Sequence, residues 1–479
     1  MRNFDVAIIG AGVTGCAIAR QLSRNRLTIA LIDKAEDVAM GASRANSAIV
    51  HAGYDCPPGS LEARLNVEGN YLFTEWCRDL DVPLRRVGTL VVAFNAEEEA
   101  TLAELYDRGL QNGVPGMRLI SGEEARRLEP MLADGVTKAL LAETGGITCP
   151  YELTIACAEN ARANGAEWIL GRGVSGIERD TDGVVLDLEG EKLRARRIVN
   201  AAGVYADEIA RMISDDSFTI HPRKGEYILL DRSEKRPEMV IFPTPTKMGK
   251  GILVSPTVDG NAFAGPTAVD QEDKLDTAVT PEGIEQLTTL ARKTTPALNL
   301  RAVITSFAGI RAQPSTGDFI IRPSEADARL IHAAGICSPG LTSAPAVAKL
   351  VERLLAESGL TLEARPDYEP RRAHMRTFRH MTDEERLAAI AENRLYGRVI
   401  CRCETITEAE IVEAVRRGAR TVDGVKRRTR AGMGRCQGGF CSPRVMEIIS
   451  READIPMEEL TKFGGASRMV VGKTRGGEA

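Results

Sequence analysis

Residues 4–34, FDVAIIGAGVTGCAIARQLSRNRLTIALIDK, set the architecture of the N-terminal half of the chain. They comprise an apolar strand (Val6 to Ile9), a glycine-rich turn, a helix and a second apolar strand (Thr28 to Ile32) that ends in Asp33. This order predicts a βαβ unit. The turn matches G-x-G-x-x-G, whose glycines allow a tight turn, close approach of the backbone to a pyrophosphate, and packing of helix on strand. The matching residues are Gly10, Gly12 and Gly15.

The acidic residue after the second strand fits the same interpretation. Asp33 lies where a carboxylate can accept hydrogen bonds from a ribose hydroxyl. The N-terminus of the intervening helix carries about half a unit of positive charge, which favours phosphates. The stretch therefore predicts dinucleotide binding, and the alternative is a glycine-rich turn that serves packing alone.

The following segments indicate which dinucleotide. A nicotinamide enzyme normally continues with further βα units, but residues 41–60 form a long loop of small residues, GASRANSAIVHAGYDCPPGS. Two later segments, RIVNAAGVYAD (197–207) and LIHAAGICSPGLTSAPAVAKLV (330–351), place small residues between a strand and a helix. Backbone at such positions can approach a ligand closely, although ordinary strand-to-helix connections look similar.

Together these segments resemble the flavin-binding amino-acid-oxidase-like superfamily. The most specific stretches are SRANSAIVHAGYDCPPGSLEARLNVEGN (43–70) and GGITCPYEL (145–153), which are similar to the branch of glycerol-3-phosphate dehydrogenases and L-2-hydroxyglutarate dehydrogenases. The resemblance implies an extended FAD, with contacts beyond the first motif from Ser43, Arg44, Asn46, Ser47, Ala201, Gly203, Gly335, Gly340, Leu341 and Thr342.

The resemblance also implies a division of the chain. The expected fold class is α/β: a Rossmann-like FAD-binding domain, an interleaved antiparallel-sheet substrate domain and a small, mainly helical C-terminal iron–sulfur domain. The expected ranges are 1–80, 146–215 and 325–360 for FAD; 81–145 and 216–324 for substrate; 361–395 for a linker and helix; 396–455 for the cluster; and 456–479 for a tail.

Both substrate types of this branch are secondary alcohols. In the expected reaction the alcohol loses its C–H hydride to flavin N5 while the hydroxyl proton goes to a base. His51 lies in the loop expected beside the flavin, and an imidazole ordinarily titrates near pH 6.5, roughly where proton transfer is useful. A histidine that only forms structural hydrogen bonds is the alternative. Related glycerol-3-phosphate enzymes carry a second histidine where this chain has Tyr227, within PRKGEYILL.

Both substrate types are also anions, and the family draws its anion contacts from two places. Here those places hold Lys224 and Arg311, the latter in FAGIRAQPSTGDF. A guanidinium suits two-point binding of carboxylate or phosphate, and an ammonium supplies a compact charge. A salt bridge at a strand end is the alternative for Arg311. Lys247 and Lys250 could add charge to a phosphate pocket or be simply solvated.

Four cysteines near the C-terminus predict a metal centre. After a polar stretch at 371–394, the chain places Cys401 and Cys403 as a tight pair and Cys436 and Cys441 as a second pair. Four thiolates around one centre indicate a [2Fe–2S] cluster or a structural zinc, and the single residue inside the first pair disfavours zinc. Between the pairs, Thr407 precedes a segment with helical apolar spacing.

The cysteine pattern resembles the bacterioferritin-associated ferredoxin-type [2Fe–2S] domain, which anaerobic-type glycerol-3-phosphate dehydrogenase catalytic subunits carry at their C-terminus. The nearby basic run KRRTRAGMGR (426–435) can offset the charge of a cluster, dock an electron acceptor or be merely solvated. It lacks interleaved aromatic residues, so nucleic-acid binding is not expected. The other six cysteines are scattered, and we expect no disulfide framework.

Composition limits the remaining possibilities. The chain has 479 residues and a net charge of −5, which suits several domains and gives no overall attraction to nucleic acid or anionic lipid. Without a transmembrane or leader-like segment we expect a cytoplasmic protein, peripheral to the inner face of the membrane only through a partner. We expect electrons to leave through the cluster to a partner flavoprotein or quinone-reducing subunit.

The leading functional hypothesis is an FAD-dependent glycerol-3-phosphate dehydrogenase that forms dihydroxyacetone phosphate. The attached cluster domain and the lysines at 247 and 250 favour it. The nearest alternative is an L-2-hydroxyglutarate dehydrogenase, which Tyr227 favours. An alternative of another class is a non-catalytic electron-transfer subunit.

Overall fold

The computed structural model describes residues 1–245 and 251–472. It divides into two compact units, and the boundary between Arg372 and Ala373 falls inside the predicted linker. Unit 1 contains Met1–Asp33 and Ala39–Arg372. Unit 2 contains the C-terminal part from Ala373 and also Lys34–Val38, a segment that the sequence did not assign to it.

Unit 1 alternates helices and strands in the pattern expected of an α/β protein. Its helices are α1 (Val13–Leu22), α2 (Leu61–Asp79), α3 (Ala96–Gln111), α4 (Gly122–Leu128), α5 (Pro150–Ala163), α6 (Ala206–Arg211), α7 (Pro281–Thr294) and α8 (Gly340–Glu357). Its strands are β1 (Arg2–Ile9), β2 (Ile29–Asp33), β3 (Ile49–Val50), β4 (Leu84–Arg85), β5 (Thr89–Ala93), β6 (Met117–Ser121), β7 (Lys138–Ala142), β8 (Gly146–Thr148), β9 (Glu167–Leu170), β10 (Gly176–Arg179), β11 (Val184–Leu188), β12 (Glu191–Asn200), β13 (Ile220–Leu230), β14 (Val240–Pro243), β15 (Leu253–Pro256), β16 (Ala262–Gly265), β17 (Val269–Asp270), β18 (Val303–Pro314), β19 (Ile320–Pro323) and β20 (Leu330–Ala334).

The predicted βαβ unit forms the centre of an eight-stranded sheet. β1 pairs in parallel with β2 on one side and β12 on the other, and β12 pairs in parallel with β20. β10, β11 and β19 add antiparallel pairings. Ile8, Ile18 and Leu31 are fully buried here, as expected for a parallel sheet covered by helices such as α1 and α8. The carboxyl ends of β1, β2, β12 and β20 therefore lie side by side.

The second sheet has nine strands, in the order β17-β13-β16-β15-β14-β5-β7-β6, with β18 also paired to β13. Most pairings are antiparallel as expected, but β14 and β5 pair in parallel, so the sheet is mixed. The longest ladder joins β13 to β18, with Arg223 opposite Arg311 and Tyr227 opposite Phe307.

Unit 2 is small and mainly helical. Its helices are α9 (Asp383–Glu392), α10 (Glu408–Arg416), α11 (Val422–Thr429) and α12 (Ser442–Ala453), and its strands are β21 (Val399–Cys401) and β22 (Ile406–Thr407). Thr407 is the N-cap of α10, as predicted, and the Glu410 carboxylate accepts hydrogen bonds from its backbone N–H and its hydroxyl. Ile411, Val415 and Ile449 are fully or almost fully buried in a core that also contains Cys401 and Cys441.

Candidate active site and cysteine centre

Two of the three motif glycines around the turn between β1 and α1, Gly10 and Gly15, have no room for a side chain. Gly10 has φ +109°, and a Cβ on it would lie 2.3 Å from the Ala201 carbonyl oxygen. A Cβ on Gly15 would lie 1.9 Å from the Gly10 carbonyl oxygen. Since α1 begins at Val13 with Gly12 as its N-cap, the N–H groups of its first turn have no partners within the helix. This cradle fits the pyrophosphate of a dinucleotide.

Two side chains are directed at the same turn. The Asp33 carboxylate accepts a hydrogen bond from the Ala11 N–H at 2.6 Å, and the Ser43 hydroxyl accepts one from the Val13 N–H at 2.8 Å. Asp33 is thus at the predicted position, at the end of β2 beside the glycines.

The loop predicted to wrap the cofactor begins with a single helical turn, Ala42–Arg44. Asn46 stabilises it, because its side-chain amide donates to the Ala42 carbonyl and its side-chain oxygen accepts from the Ala48 N–H. A Cβ on Gly309 of β18 would lie 1.9 Å from the Ala45 carbonyl oxygen, so the loop packs directly on the second sheet. The Ser47 hydroxyl lies 3.3 Å from the Tyr227 hydroxyl. The loop therefore joins the two sheets of unit 1.

His51 is held at the end of this loop. Its backbone N–H donates to the Thr342 hydroxyl at 2.9 Å, and its carbonyl accepts from the Asn70 side chain at 2.8 Å. Its Nε2 lies 3.4 Å from the Ser338 hydroxyl, and its ring centroid lies 6.1 Å from that of Phe242. The sequence did not single out Ser338 or Phe242. Nothing in the sequence alone indicated them, since each reaches His51 only through the fold.

Tyr227 and Arg311 lie on the face of the second sheet that meets this loop. Tyr227 is buried and stacks on Phe307, with ring centroids 4.8 Å apart. Burial raises the pKa of Tyr227, and the nearby Arg311 charge opposes that rise. The neutral phenol is therefore a hydrogen-bonding group at neutral pH. The Nη2 of Arg311 donates to the Thr267 carbonyl, whereas its buried Nε has no hydrogen-bond partner among the residues that the structure describes.

Lys224 does not join these residues. Side chains alternate along β13, so Lys224 and Glu226 point away from the face that carries Tyr227. The buried Lys224 ammonium donates to Asp276 at 2.9 Å and to the Ala278 carbonyl at 3.0 Å, and it lies 3.8 Å from Glu226. Its charge is thus balanced on the reverse face, while Lys247 and Lys250 lie outside the described residues.

The cation of β13 that shares the Tyr227 face with Arg311 is Arg223, which sequence reasoning missed. It pairs with Asp270 through its Nε and, at 3.0 Å, its Nη2. The signal was present in the sequence: strand alternation counted back from Tyr227 reaches Gly225 and then Arg223, not Lys224.

The remaining predicted cofactor contacts fall at the carboxyl ends of β12 and β20. Ala201 and Gly203 follow β12, and Gly335 follows β20. α8 starts at Gly340 and continues through Leu341 and Thr342. Gly203 and Gly335 have φ values of +58° and +64°, a conformation that favours glycine. The predicted cofactor contacts in the glycine-rich turn, the 41–60 loop and the segments after β12 and β20 therefore lie around the ends of neighbouring parallel strands.

In unit 2 the four predicted cysteines form two contacting pairs. Cys403 Sγ lies 3.7 Å from Cys436 Sγ, and the Cys401 and Cys441 thiols hydrogen-bond to each other. No group of three or more His, Cys, Asp or Glu side chains within residues 1–245 and 251–472 is arranged to hold a metal ion.

Hydrogen bonds lower the pKa values of two of these thiols, Cys401 and Cys436, while the pKa values of their partners Cys441 and Cys403 are raised. The hydrogen bond with Cys441 lowers the pKa of Cys401 to about 6, and the N–H groups of Gly432 and Glu404 contribute. The N–H group of Phe440, together with those of Gly438 and Gly439, lowers the pKa of Cys436. Thiolates are the ligands of iron–sulfur clusters, and N–H donors to sulfur stabilise them. The donor set therefore fits such a cluster.

Comparison with known families agrees with both sites. Residues 5–354 match the FAD dependent oxidoreductase family, which is most of the chain. The chain belongs to this family. Residues 399–451 of this FAD-dependent oxidoreductase match the BFD-like [2Fe-2S] binding domain and include all four cysteines. FAD and a [2Fe–2S] cluster are thus its cofactors, as predicted, rather than the zinc alternative.

Individual relatives are named for particular substrates. The oxidoreductase is 46% identical to a protein of Caloramator mitchellensis named glycerol 3-phosphate dehydrogenase, over 98% of this chain and 99% of the other. Its structure matches an FAD-bound L-alpha-glycerophosphate oxidase of Mycoplasma pneumoniae with a TM-score of 0.74 and 33% identity, over 78% of this chain and 99% of that one. It is 32% identical to the human mitochondrial L-2-hydroxyglutarate dehydrogenase, over 56% of this chain and 61% of that one.

In the part of the oxidoreductase that the structure describes, no helix is both long and apolar enough to cross a membrane.

Proposed function

We propose that this protein oxidises sn-glycerol 3-phosphate to dihydroxyacetone phosphate. The observation that carries the proposal is the shared face of β13 and β18, where Arg311 and Tyr227 meet the loop that leads to His51. A cation for an anionic group and a proton acceptor for a hydroxyl are the two groups that this reaction requires of a protein. The names of the Caloramator and Mycoplasma relatives support the same substrate.

His51 takes the proton from the substrate hydroxyl. Its backbone is fixed by Thr342 and Asn70, so the ring has a defined position, with Nε2 directed at Ser338. The bound FAD supplies the hydride acceptor for the C–H bond that breaks. A base within hydrogen-bonding distance of the hydroxyl contributes roughly 100- to 10,000-fold to such a rate.

Arg311 binds the substrate anion, and Tyr227 orients the substrate beside it. The unpartnered Nε of Arg311 leaves a donor available, and burying such a donor is costly unless a ligand satisfies it. The raised pKa of Tyr227 keeps its hydroxyl protonated, so it can donate a hydrogen bond to a substrate oxygen.

The FAD contacts follow from the strand ends. The glycine-rich turn binds the pyrophosphate and Asp33 binds the ribose. The rest of the cofactor contacts the segments at residues 43–47, 201–203, 335 and 340–342. Under this proposal the eight-stranded sheet, apart from β19, belongs to the FAD-binding part, residues 1–80, 146–215 and 325–360. The nine-stranded sheet belongs to the substrate part, residues 81–145 and 216–324.

Electrons leave through the cluster to a partner flavoprotein or a quinone-reducing subunit. The cluster supplies one-electron transfer, and Cys401, Cys403, Cys436 and Cys441 hold it. The surface beside these ligands supports docking of a partner. Phe440, whose N–H bonds to Cys436, has its side chain 85% exposed, and Arg402 and Arg435 beside the ligands are also exposed.

A second candidate substrate is L-2-hydroxyglutarate. Tyr227 stands where related glycerol-3-phosphate enzymes have a histidine, and the human relative is named for that hydroxy acid. The chemistry at the alcohol carbon is the same, so only the group bound by the cations differs.

Anaerobic titration of the flavin absorbance distinguishes the candidates. We expect sn-glycerol 3-phosphate to bleach the flavin band and L-2-hydroxyglutarate to leave it unchanged at the same concentration. Bleaching by the hydroxy acid alone would reverse the assignment. A flavin that neither compound reduces would favour a non-catalytic electron-transfer role.

The His51→Asn variant tests the base in the same assay. We expect it to bind FAD and substrate but to bleach at least about 100-fold more slowly, because the hydroxyl proton then lacks an acceptor. A bleaching rate within threefold of the wild type would remove His51 from this role.

A further inference from the structure

Three charged side chains form a row across the edge of the second sheet. Arg223 of β13 lies directly opposite Asp270 of β17 on one side and directly opposite Arg311 of β18 on the other. Residues opposite each other on neighbouring strands project from the same face. The row therefore reads Asp270, Arg223, Arg311 on the face that carries Tyr227.

This row has an excess of positive charge. Like charges directly opposite each other destabilise a pair of strands, and Asp270 offsets only one of the two guanidinium groups. Arg223 lowers the pKa of the Asp270 carboxyl through its hydrogen bonds, so that carboxylate is ionised at neutral pH. Arg311 is bonded to a carbonyl, that of Thr267, which carries no formal charge. Two cations and one anion leave a net charge that a bound anion can neutralise.

The row reaches the candidate active site. Arg223 lies four residues before Tyr227 on the same face of β13, and the Tyr227 hydroxyl lies 3.3 Å from that of Ser47 in the loop that leads to His51. A Cβ on Gly225 would lie 2.7 Å from Nη2 of Arg311, so the absence of a side chain there lets the guanidinium lie flat along the strand between Arg223 and Tyr227. Both arginines are half-buried.

Arg223 retains donors for a ligand. Asp270 occupies Nε and Nη2, whereas a guanidinium has five N–H groups. A ligand can therefore bind Arg223 without breaking the ion pair. Asp270 then acts as a brace that fixes the direction of the guanidinium.

We propose that Arg223, braced by Asp270, is the second cation of the substrate-anion subsite and makes it selective for a dianionic phosphate group over a single carboxylate. The inference rests on the proposed function, because it assigns a role within the same site. A dianion interacts with both guanidinium groups at once, whereas one carboxylate satisfies a single bidentate partner.

The competing explanation is purely structural. Asp270 is 68% exposed, and an exposed ion pair of this kind contributes little beyond keeping β17 beside β13. A useful test must therefore measure ligand binding and not only stability.

The experiment compares Arg223→Gln with wild-type holoenzyme. Inorganic phosphate and acetate serve as probes, and their dissociation constants are read from the perturbation of the flavin absorbance at pH 7.5. The matched control is Arg118→Gln, which removes an arginine of β6, at the other edge of the same sheet, that is paired with Glu124 of α4. Arg223→Lys, which keeps the charge, serves if the glutamine variant loses FAD.

We expect Arg223→Gln to weaken phosphate binding about tenfold or more, because a charge-assisted hydrogen bond is lost. Acetate binding should change less than threefold, Arg118→Gln should match the wild type for both probes, and Arg223→Lys should weaken phosphate binding to an intermediate degree.

Phosphate binding within threefold of the wild type in both Arg223 variants would overturn the proposal, as would equal losses of phosphate binding and acetate binding. Wild-type protein whose flavin spectrum does not respond to phosphate would overturn it too. The proposed function fails separately, if sn-glycerol 3-phosphate does not bleach the wild-type flavin.

Discussion

At the scale of single residues, alternation along β13 decides which side chains face the active site. The motif PRKGEY contains two cations next to each other, and a family pattern drew attention to Lys224. Strand geometry separates the neighbours, since Arg223 shares a face with Tyr227 and Lys224 does not. The side-chain alternation was readable from the sequence. The partners Asp270 and Asp276 were not, because turns and long connections bring them to β13.

Lys224→Met should therefore affect stability more than substrate binding. The substitution leaves the buried Glu226 without its nearest cation and Asp276 without its ammonium partner. Breaking a buried ion pair costs roughly 3 kcal/mol in the free energy of unfolding. The dissociation constant for sn-glycerol 3-phosphate should stay within about threefold of the wild type.

Urea denaturation and anaerobic flavin titration measure these two quantities on the same protein. Arg311→Ala is the matched comparison, and it should weaken substrate binding while FAD content stays intact. If Lys224→Met weakens substrate binding as much as Arg311→Ala does, Lys224 acts at the site after all and the face assignment is mistaken.

At the scale of elements, the ends of β12 and β20 share a buried polar network. His332 is fully buried; its Nδ1 lies 3.2 Å from the Asn200 side-chain nitrogen and its Nε2 lies 3.0 Å from Asp215. The Asn200 side chain also donates to the Ala206 carbonyl and so helps to shape the segment that contains Ala201 and Gly203. The sequence indicated the glycines of this segment but not the network, whose members come from three separate parts of the chain.

This network should make stability depend on pH. Burial lowers the pKa of His332, so the ring stays neutral in the folded protein at pH values where an unfolded histidine, with a pKa of about 6.5, is protonated. The unfolded state then binds more protons, and the free energy of unfolding falls as the pH drops below about 6.5. The pKa of the Asp215 carboxyl lies below its usual range, so its contribution is lost only in stronger acid.

Denaturant titrations at intervals from pH 8 to pH 5 test this expectation. His332→Gln should be less stable at pH 8 but should lose less stability than the wild type between pH 8 and pH 5. Parallel pH profiles for the two proteins would show that His332 is not the group responsible.

At the scale of the whole molecule, local motifs predicted more than long-range arrangement. The glycine fingerprint and the four cysteines each concentrate their information in a short stretch, so the βαβ unit, both cofactors and Thr407 as an N-cap followed from the sequence. The parallel pairing of β14 with β5 and the assignment of Lys34–Val38 to unit 2 depend on contacts between distant segments. In unit 2, Asp37 is buried between Arg427 and Arg428 of the basic run, so those arginines are structural and not merely solvated.

The central claim is that one chain oxidises the phosphate-bearing alcohol and passes electrons to its own cluster. The most direct measurement is the electron paramagnetic resonance signal of the reduced cluster during anaerobic titration of the wild type with sn-glycerol 3-phosphate, with the flavin absorbance recorded in parallel. Cys436→Ser/Cys441→Ser provides the control, since it should lack the cluster signal while its flavin still bleaches. We predict that in the wild type both signals change as substrate is added. A flavin that bleaches while a cluster that chemical reductants can reduce stays oxidised would contradict the account.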